Sequence, residues 1–411
     1  MGAMVLIAVL LLERILMPIT LSVGPGKIFA RIEEAVSAAK PGDTILVYPD
    51  PAGYPRTAIN IQVASLTIRG VGTKPLSIKG DGFDYSGSGK VPRAIIQVEP
   101  TGSGAKLENL DLSGAHNQSF NGAGVRIQAA RNVTVRDCII HDNDMGIMSN
   151  GKEGDPRAAS KQLIEYCLIE RNGSTKDPGY NHNLYLGGTS VKISHCEIRN
   201  STTGHNVKSR AHFIEIEGCY IHNAANREID LPEAWDTFRP NSNALLIGNR
   251  IVKDPNCVGN RGVIHFGKEK GTRMGNLYLF GNTIVTPFVS PVVLVTSPAT
   301  TILAQYNVLL NLDQGKADLF KGEGVNLKIE ATNNRISMGY GEVRGNTTGM
   351  ARSELFGKDP TTYLGPRLVI ATGGVGDATW IDGEGNKHGR ERPWFDWSDS
   401  IGPQNRAEYN K

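Results

Sequence analysis

One pattern recurs eight times along the middle of the chain and limits the folds open to it. Each copy alternates apolar and polar residues over a short run, reaches one small or polar position, and continues with two more strand residues. Strict alternation is typical of a strand with one buried face, and regular repetition is typical of a solenoid. The sequence therefore predicts stacked coils of short strands. The eight copies are VTVRDCII (133–140), LIEYCLI (163–169), VKISHCEI (191–198), IEIEGCYI (214–221), ALLIGNRI (244–251), LYLFGNTI (277–284), ILAQYNVL (302–309) and LKIEATNNRI (327–336).

The small or polar position of this repeat forms a column, with cysteine in four copies and asparagine in the next four. One register position repeated in every coil predicts a continuous ladder, in which Asn side chains hydrogen-bond along the axis and each thiol packs as a small apolar group. A redox or metal role for the thiols is the alternative, but the coil spacing already explains their positions. Cys257 lies outside the column, and five cysteines do not indicate a disulfide framework. The column consists of Cys138, Cys167, Cys196, Cys219, Asn249, Asn282, Asn307 and Asn334.

The two ends of the chain differ from the repeat. The segment IFARIEEAVSAAKPGD (28–43) is typical of a short amphipathic helix that caps a terminal coil. Residues 1–23 are interpreted as an export signal or an N-terminal cap, because the apolar run at 4–12 is too short to span a membrane. Residues 24–340 are predicted to form the solenoid, and residues 341–411 a tail that packs along it or closes its end. The predicted location is secreted or periplasmic.

Composition supports this architecture and restricts the partners. The 48 glycines among 411 residues, with many Asn, Thr, Val and Ile, suit short strands joined by tight turns. A net charge of +3 does not indicate a nucleic-acid-binding protein. Any anionic partner must therefore be bound by a local patch of cations.

A second strand precedes each ladder strand, and aligning these strands predicts such a patch. The inward positions are apolar in every coil, whereas the outward positions are mostly polar. Stacked strands lie about 4.8 Å apart, so the central polar residues should share a patch about 10–15 Å long. His and Tyr repeated at one register favour a functional site over a merely solvated face. The outward residues are Arg126, Met148, Tyr185, Lys208, Asp230 and His265, with His182, His205 and Arg227 three positions earlier in three of the coils.

The opening GPGKIFARIEEAVSAAKPGDTILVYP (24–49) and the coils after it resemble the pectate-lyase-like superfamily over roughly residues 24–340. This resemblance implies an all-β fold, a right-handed parallel β-helix of about ten coils with an N-terminal capping helix. It does not imply one reaction, since this scaffold carries lyases, hydrolases, epimerases, esterases and adhesins. The segments NHNLYLGG (181–188), GHNVKSRA (204–211) and REIDLP (227–232) also resemble motifs of bacterial right-handed β-helix repeat proteins.

The Asn-x-Lys-Ser element at 206–209 resembles the lysine-bearing coil of alginate- and chondroitin-type polysaccharide lyases. In those families a lysine removes the proton, an arginine about one coil later assists, and calcium often screens the substrate carboxylate. The resemblance places Lys208 at the lysine and Arg227 at the arginine. Acidic calcium ligands are not evident before Lys208, and Ca²⁺ held by Glu228 and Asp230 stays an open alternative.

Cleavage of a uronate polymer by β-elimination needs cations at the carboxylate, a base for the C5 proton and an acid for the leaving oxygen. We hypothesise that Lys208 is the base, that Tyr185 or His205 is the acid, and that Arg227 and His182 hold the carboxylate. The predicted catalytic residues are Lys208, Tyr185, His205, His182, Arg227 and Asp230. The predicted substrate-binding residues are Arg126, Arg210, His265, Asn183, Asn206 and Trp235.

Other functions on this scaffold stay open. A glycoside hydrolase needs a pair of carboxylates, for which Glu228, Asp230, Glu233 and Asp236 are candidates, but cations outnumber carboxylates in the row. An epimerase and a non-catalytic carbohydrate-binding surface protein are further alternatives. Zinc or manganese at the histidines and Asp230 is a third, although no HxH or HExxH spacing supports it. The predicted partner is an acidic polysaccharide, with no nucleic acid and no stable membrane span; no cofactor is assigned, and the oligomeric state is not predicted.

Overall fold

Three long parallel sheets wind around one apolar core to form a right-handed parallel β-helix. The computed structural model describes residues 17–150, 159–233, 240–269, 272–287, 290–313, 315–325, 327–341 and 345–350, together with three short strands nearer the C terminus. Each complete coil contributes one strand to each sheet. The predicted fold class is confirmed.

The strands are short and stack in sequence order within each sheet. The first sheet contains Thr20–Val23, Thr44–Val47, Thr67–Gly70, Lys106–Glu108, Thr134–Arg136, Gln162–Glu165, Ser190–Ser194, Phe213–Glu217, Ala244–Ile247, Leu277–Phe280, Thr301–Gln305 and Lys328–Thr332. The second sheet contains Leu76–Lys79, Leu110–Ser113, Ile139–His141, Leu168–Glu170, Glu197–Arg199, Tyr220–His222, Arg250–Val252, Thr283–Thr286, Val308–Asn311, Arg335–Ser337 and Thr347–Met350. The third sheet contains Ile59–Ile61, Ala94–Val98, Ala123–Gln128, Met145–Asn150, Leu184–Leu186, Val207–Ser209, Ile229–Pro232, Ile264–Gly267, Val293–Val295 and Phe320–Gly322.

The ends of the solenoid differ from the predicted boundaries. Thr20–Val23 pairs in parallel with Thr44–Val47, so the first sheet begins before residue 24. Thr347–Met350 pairs with Arg335–Ser337, so the second sheet extends past residue 340. Further along the chain, a separate antiparallel sheet contains Leu368–Ile370, Ala378–Ile381 and Lys387–Arg390. The apolar run at 4–12 lies outside the described residues, as does most of the tail.

The predicted capping helix spans Ile32–Ala38, and a 3₁₀ turn occurs at Pro100–Gly102. The helix buries Ile32, Ala35 and Val36 against the first strands of the stack. It thereby covers apolar surface that a terminal coil would otherwise expose. No helix among the described residues has the length and hydropathy needed to cross a membrane.

The inward positions predicted from the alternation are fully buried. On the third sheet they include Val125, Ile147, Leu184, Val207 and Ile229, each with no accessible surface. Burial of one such side chain contributes about 1.5–3 kcal/mol, so the repeated column supplies much of the driving force for stacking. Because side chains alternate along a strand, this column fixes the intervening residues on the outer face.

The predicted Cys and Asn column is confirmed as one ladder at the turn between the first and second sheets. The Cys219 backbone N–H donates to Asn249 Oδ1 at 2.9 Å, and the Asn249 amide donates to Asn282 Oδ1 at 2.9 Å. The same pattern continues through Asn334 to Asn346, one rung beyond the predicted column. The residue before each rung has a left-handed φ, for example 60° at Asp137, so the rungs stabilise a sharp corner in every coil.

A second buried ladder, which was not predicted, lies at the turns that connect strands of the second sheet to strands of the third sheet. The Asn143 amide donates to Asn172, Asn172 to Asn183, and Asn183 to Asn206, at 3.0, 2.9 and 2.8 Å. Asn206 in turn donates to Glu228 Oε2 at 2.7 Å. These side chains satisfy one another in an interior where unpaired polar groups are costly, and they hold successive coils in register.

Candidate active site

The predicted outward row exists on the third sheet. Tyr185 pairs with Lys208, Lys208 with Asp230, and Asp230 with His265 in consecutive parallel strands. Arg126 and Met148 occupy the two preceding strands at the same register. The strands therefore bring together the side chains that the sequence alignment placed in one row.

His182 and His205 form a second column beside this row. Their rings stack with centroids 5.0 Å apart and an interplanar angle of 22°. The His205 backbone N–H donates to His182 Nδ1 at 3.0 Å, and the Arg227 backbone N–H donates to His205 Nδ1 at 3.1 Å. Each neutral ring therefore carries its proton on Nε2 and has no lone pair left for a substrate. These imidazoles suit hydrogen-bond donation rather than proton abstraction.

Asp230 is the centre of the cluster. His265 Nδ1 lies 2.7 Å from Asp230 Oδ1, Arg227 donates to the same oxygen at 3.3 Å, and His205 Nε2 lies 3.4 Å from Oδ2. Burial alone would raise the pKa of this carboxyl, but the His265 hydrogen bond and the charge of Lys208 outweigh it and hold the pKa well below its usual range. Asp230 is thus an ionised, nearly inaccessible residue that orients its neighbours.

Lys208, Arg210 and Glu269 form the more exposed part of the site. Lys208 Nζ lies 3.1 Å from Glu269 Oε2 and 3.5 Å from Asp230 Oδ2, and Arg210 Nε donates to Glu269 Oε2 at 3.2 Å. Burial would raise the pKa of Glu269, but the Arg210 hydrogen bond and the Lys208 charge outweigh this effect and lower it. A fork of two cations therefore already holds one carboxylate.

Tyr185 lies next to this fork. Its ring centroid is 5.0 Å from the Arg210 guanidinium and 5.9 Å from Lys208 Nζ, and its edge meets His182. The Tyr185 hydroxyl makes no hydrogen bond to another described residue. The phenol therefore lies beside two cations.

The remaining predicted residues are more dispersed. His265 is buried behind Asp230 and also contacts Thr296 Oγ1 at 2.8 Å. Asn183 and Asn206, predicted to bind substrate, have no accessible surface and belong to the internal Asn ladder. This is a correction: the same amide chemistry that suits a sugar is here satisfied inside the coil. Trp235 lies outside the described residues.

The calcium and hydrolase alternatives both require Glu228 to face a ligand, but Glu228, like Asn183 and Asn206, is buried inside the coil. Glu228 is fully buried at the end of the Asn ladder, where it faces Lys253 at 3.7 Å, and burial raises its pKa to about 7. Asp230 projects to the other side of the strand, so these two carboxylates do not converge on one ion or one sugar. Among the described residues, no group of three or more His, Cys, Asp or Glu side chains is placed to hold a metal.

Glu269 is the site residue that sequence reasoning missed. It follows the strand Ile264–Gly267, two strands along from Lys208, and reaches back through a loop. Its only sequence signal is its place just after the strand that carries His265.

Because these histidines are buried, we expect the free energy of unfolding to fall as the pH is lowered. Burial lowers the pKa of His205 to about 4, with Lys208 and Arg227 opposing the Asp230 charge, and burial also lowers the pKa of His182. Between pH 6.5 and 4 the unfolded chain therefore binds more protons, and His205 alone should reduce the free energy of unfolding by about 3 kcal/mol across that interval.

We expect His205→Asn, which keeps an acceptor near the Nδ1 position, to flatten this dependence. Thermal or denaturant unfolding at a series of pH values measures it as the difference between wild type and variant. The difference is needed because carboxylate contacts raise the pKa values of His116 and His141, which act in the opposite direction. Equal slopes in wild type and variant would contradict the neutral, buried state of His205.

Part of the chain matches a known protein family. A family model described as "Right handed beta helix region" matches residues 77–233, which contain most of the candidate site. No curated protein matches the sequence.

Several solved structures also match the chain at low sequence identity. Similar structures include an alginate lyase from Paenibacillus sp. (13% identity, 77% of this chain and 99% of that chain, TM-score 0.38) and a pectin methylesterase from Aspergillus niger (13%, 82% and 94%, 0.39). Another is a GH136 lacto-N-biosidase from Eubacterium ramulus (11%, 79% and 69%, 0.41). The likeness is one of fold.

Proposed function

We propose that the outer face of the third sheet binds a uronate-containing polysaccharide and cleaves it by β-elimination. The observation that supports this proposal is the carboxylate fork: Lys208 and Arg210 together hold the Glu269 carboxylate beside Tyr185. A uronate carboxylate has the same charge and planar shape, so the two cations suit it equally.

Neutralising that carboxylate is the central requirement of the reaction, because it makes loss of the C5 proton accessible. Lys208 and Arg210 supply the positive charge. The sequence suggested Lys208 as the base, but its Nζ already contacts the carboxylates of Asp230 and Glu269. We therefore assign Lys208 to charge neutralisation in this proposal.

Proton transfer falls to Tyr185. As the phenolate, Tyr185 takes the C5 proton; the C4–O bond then breaks as the C4–C5 double bond forms, and the leaving oxygen receives the proton from Tyr185. Asp230 acts through others, since it positions Lys208, Arg227 and His205.

Product chemistry tests the proposal. Polygalacturonate, alginate, chondroitin and hyaluronate are each incubated with the protein, with and without a chelator, and the unsaturated product is followed by its ultraviolet absorbance. We expect it to appear with at least one polymer and to be lost in Tyr185→Phe. New reducing ends without unsaturation would instead indicate a hydrolase, and binding without turnover a carbohydrate-binding protein.

Glu269 gives a separate prediction, because it competes with the substrate carboxylate for the same two cations. A partly exposed ion pair contributes up to about 1 kcal/mol, so Glu269→Gln should lower KM for an acidic polymer by about fivefold. Steady-state kinetics measures this, with Glu215→Gln at the Lys192 ion pair on the first sheet as the control. A collapse of kcat would show that Glu269 takes part in the chemistry.

A further inference from the structure

Arg126 is a buried cation that forms no ion pair with a described residue. Its side chain is 4% exposed, NH1 donates to Met148 Sδ at 3.0 Å, and Nε has no hydrogen-bond partner. A thioether sulfur is a weak acceptor, and no carboxylate of the described residues forms an ion pair with this guanidinium. Burial, followed by the charge of Arg93, lowers the pKa of Arg126 to about 10, although the Glu99 carboxylate acts in the opposite direction.

Other arginines show how unusual this environment is. Arg273, which is fully buried, distributes its donors over the carbonyls of five residues. Arg136 and Arg199, on the outer faces of the first and second sheets, each contact carboxylates. Burying a guanidinium without such partners raises the free energy of the protein when no ligand is bound. A bound anion would offset this desolvation penalty.

A polar groove adjoins the strand that carries Arg126. It has a volume of about 410 Å³, and its lining includes the amides Asn60, Gln97 and Gln128, the cations Lys90 and Arg93, and the carboxylate Glu99. Gln97 pairs in register with Arg126 on the preceding strand. The Asn60 side-chain oxygen is buried there without a partner. Amides and cations in a groove are suited to the hydroxyl and carboxylate groups of an acidic sugar.

Arg126 and Lys208 belong to the same outward column, separated by three strand steps. At about 4.8 Å per step, the two cations are roughly 14 Å apart along the stack. We propose that Arg126 is the anchor of a distal subsite, which binds the carboxylate of an acidic sugar several residues away from the one held by Lys208 and Arg210. The polymer then lies along the third sheet. This inference rests on the proposed function only for the chemical class of the ligand.

The test separates long ligands from short ones. Binding of galacturonate and mannuronate oligomers, a dimer and a hexamer of each, is measured by calorimetry on Tyr185→Phe protein. Because a charge-assisted hydrogen bond contributes about 1.5–3 kcal/mol, Arg126→Met should weaken hexamer binding by about 10- to 100-fold and leave dimer binding at the Lys208 fork unchanged. Arg126→Lys should weaken hexamer binding less, and Arg136→Gln not at all.

A second measurement excludes a purely structural role. Since Arg126 forms no ion pair with a carboxylate in the described part of the chain, replacing it with Met should leave the unfolding temperature unchanged or raise it. The inference is overturned if Arg126→Met unfolds the protein, weakens dimer and hexamer equally, or leaves hexamer binding intact. Hexamer binding that depends on Arg126 without any unsaturated product would support the subsite and reject the lyase reaction.

Discussion

Replacing Lys208 with methionine should abolish formation of unsaturated product while leaving the fold intact. Lys208 contacts both Asp230 and Glu269, and its removal deprives the substrate carboxylate of half of its neutralising fork. Loss of one such electrostatic partner in an active site typically lowers kcat by about 100- to 1000-fold. Continuous ultraviolet absorbance assays on the responsive polymer measure the effect.

Two further variants decide what Lys208 does. Lys208→Arg keeps the charge but cannot act as a base at neutral pH, so substantial activity in this variant would support charge neutralisation, and complete loss would restore Lys208 as the base. Lys192→Met is the matched control, because Lys192 also contacts two carboxylates, Glu215 and Glu217, but on the first sheet. Unchanged activity in Lys208→Met would remove the fork from the mechanism.

Asp230→Asn should cost both stability and activity. The change leaves Arg227 and Lys208, together with His205 and His265, around a neutral amide. Breaking a buried charge cluster of this kind lowers the free energy of unfolding by about 3–5 kcal/mol. Denaturant unfolding at pH 7 should therefore show a large loss, and turnover should fall because Lys208 loses its support.

The pH dependence of that loss has a definite sign. Because the folded-state pKa of Asp230 lies below its unfolded value, its contribution is present above about pH 4 and disappears in stronger acid. Asp111→Asn is the control: Asp111 contacts His141 at 2.9 Å on the second sheet but is more exposed, so its loss should be at most about 1 kcal/mol. Equal losses in the two variants would contradict a special role for the Asp230 cluster.

The sequence predicted the scaffold well because the interactions that define it repeat. The Cys138-to-Asn334 column has one residue per coil at one register, and its ladder follows from that spacing alone. The row through Tyr185, Lys208 and Asp230 was predicted for the same reason, since strand pairing transmits register from coil to coil.

Features that depend on the path of the chain between strands were not predicted. Asn183 and Asn206 are followed by strand residues that belong to the outer row, but the bend before each strand turns the two amides inward. Glu269 reaches Lys208 through a loop from two strands away, which no periodicity encodes. The burial of Asp230 depends on packing from three neighbouring coils at once.

The regular stacking of the third sheet makes the distance between two cations a property of coil number. Arg126 and Lys208 are separated by whole strand steps, so deleting the coil that carries Met148 would bring them closer by one step, about 4.8 Å, without altering either side chain. In the proposed function, the number of coils between the two cations would therefore set the spacing of the carboxylates that the face binds. Related chains that gain or lose a coil here would measure a different length of polymer with the same chemical groups.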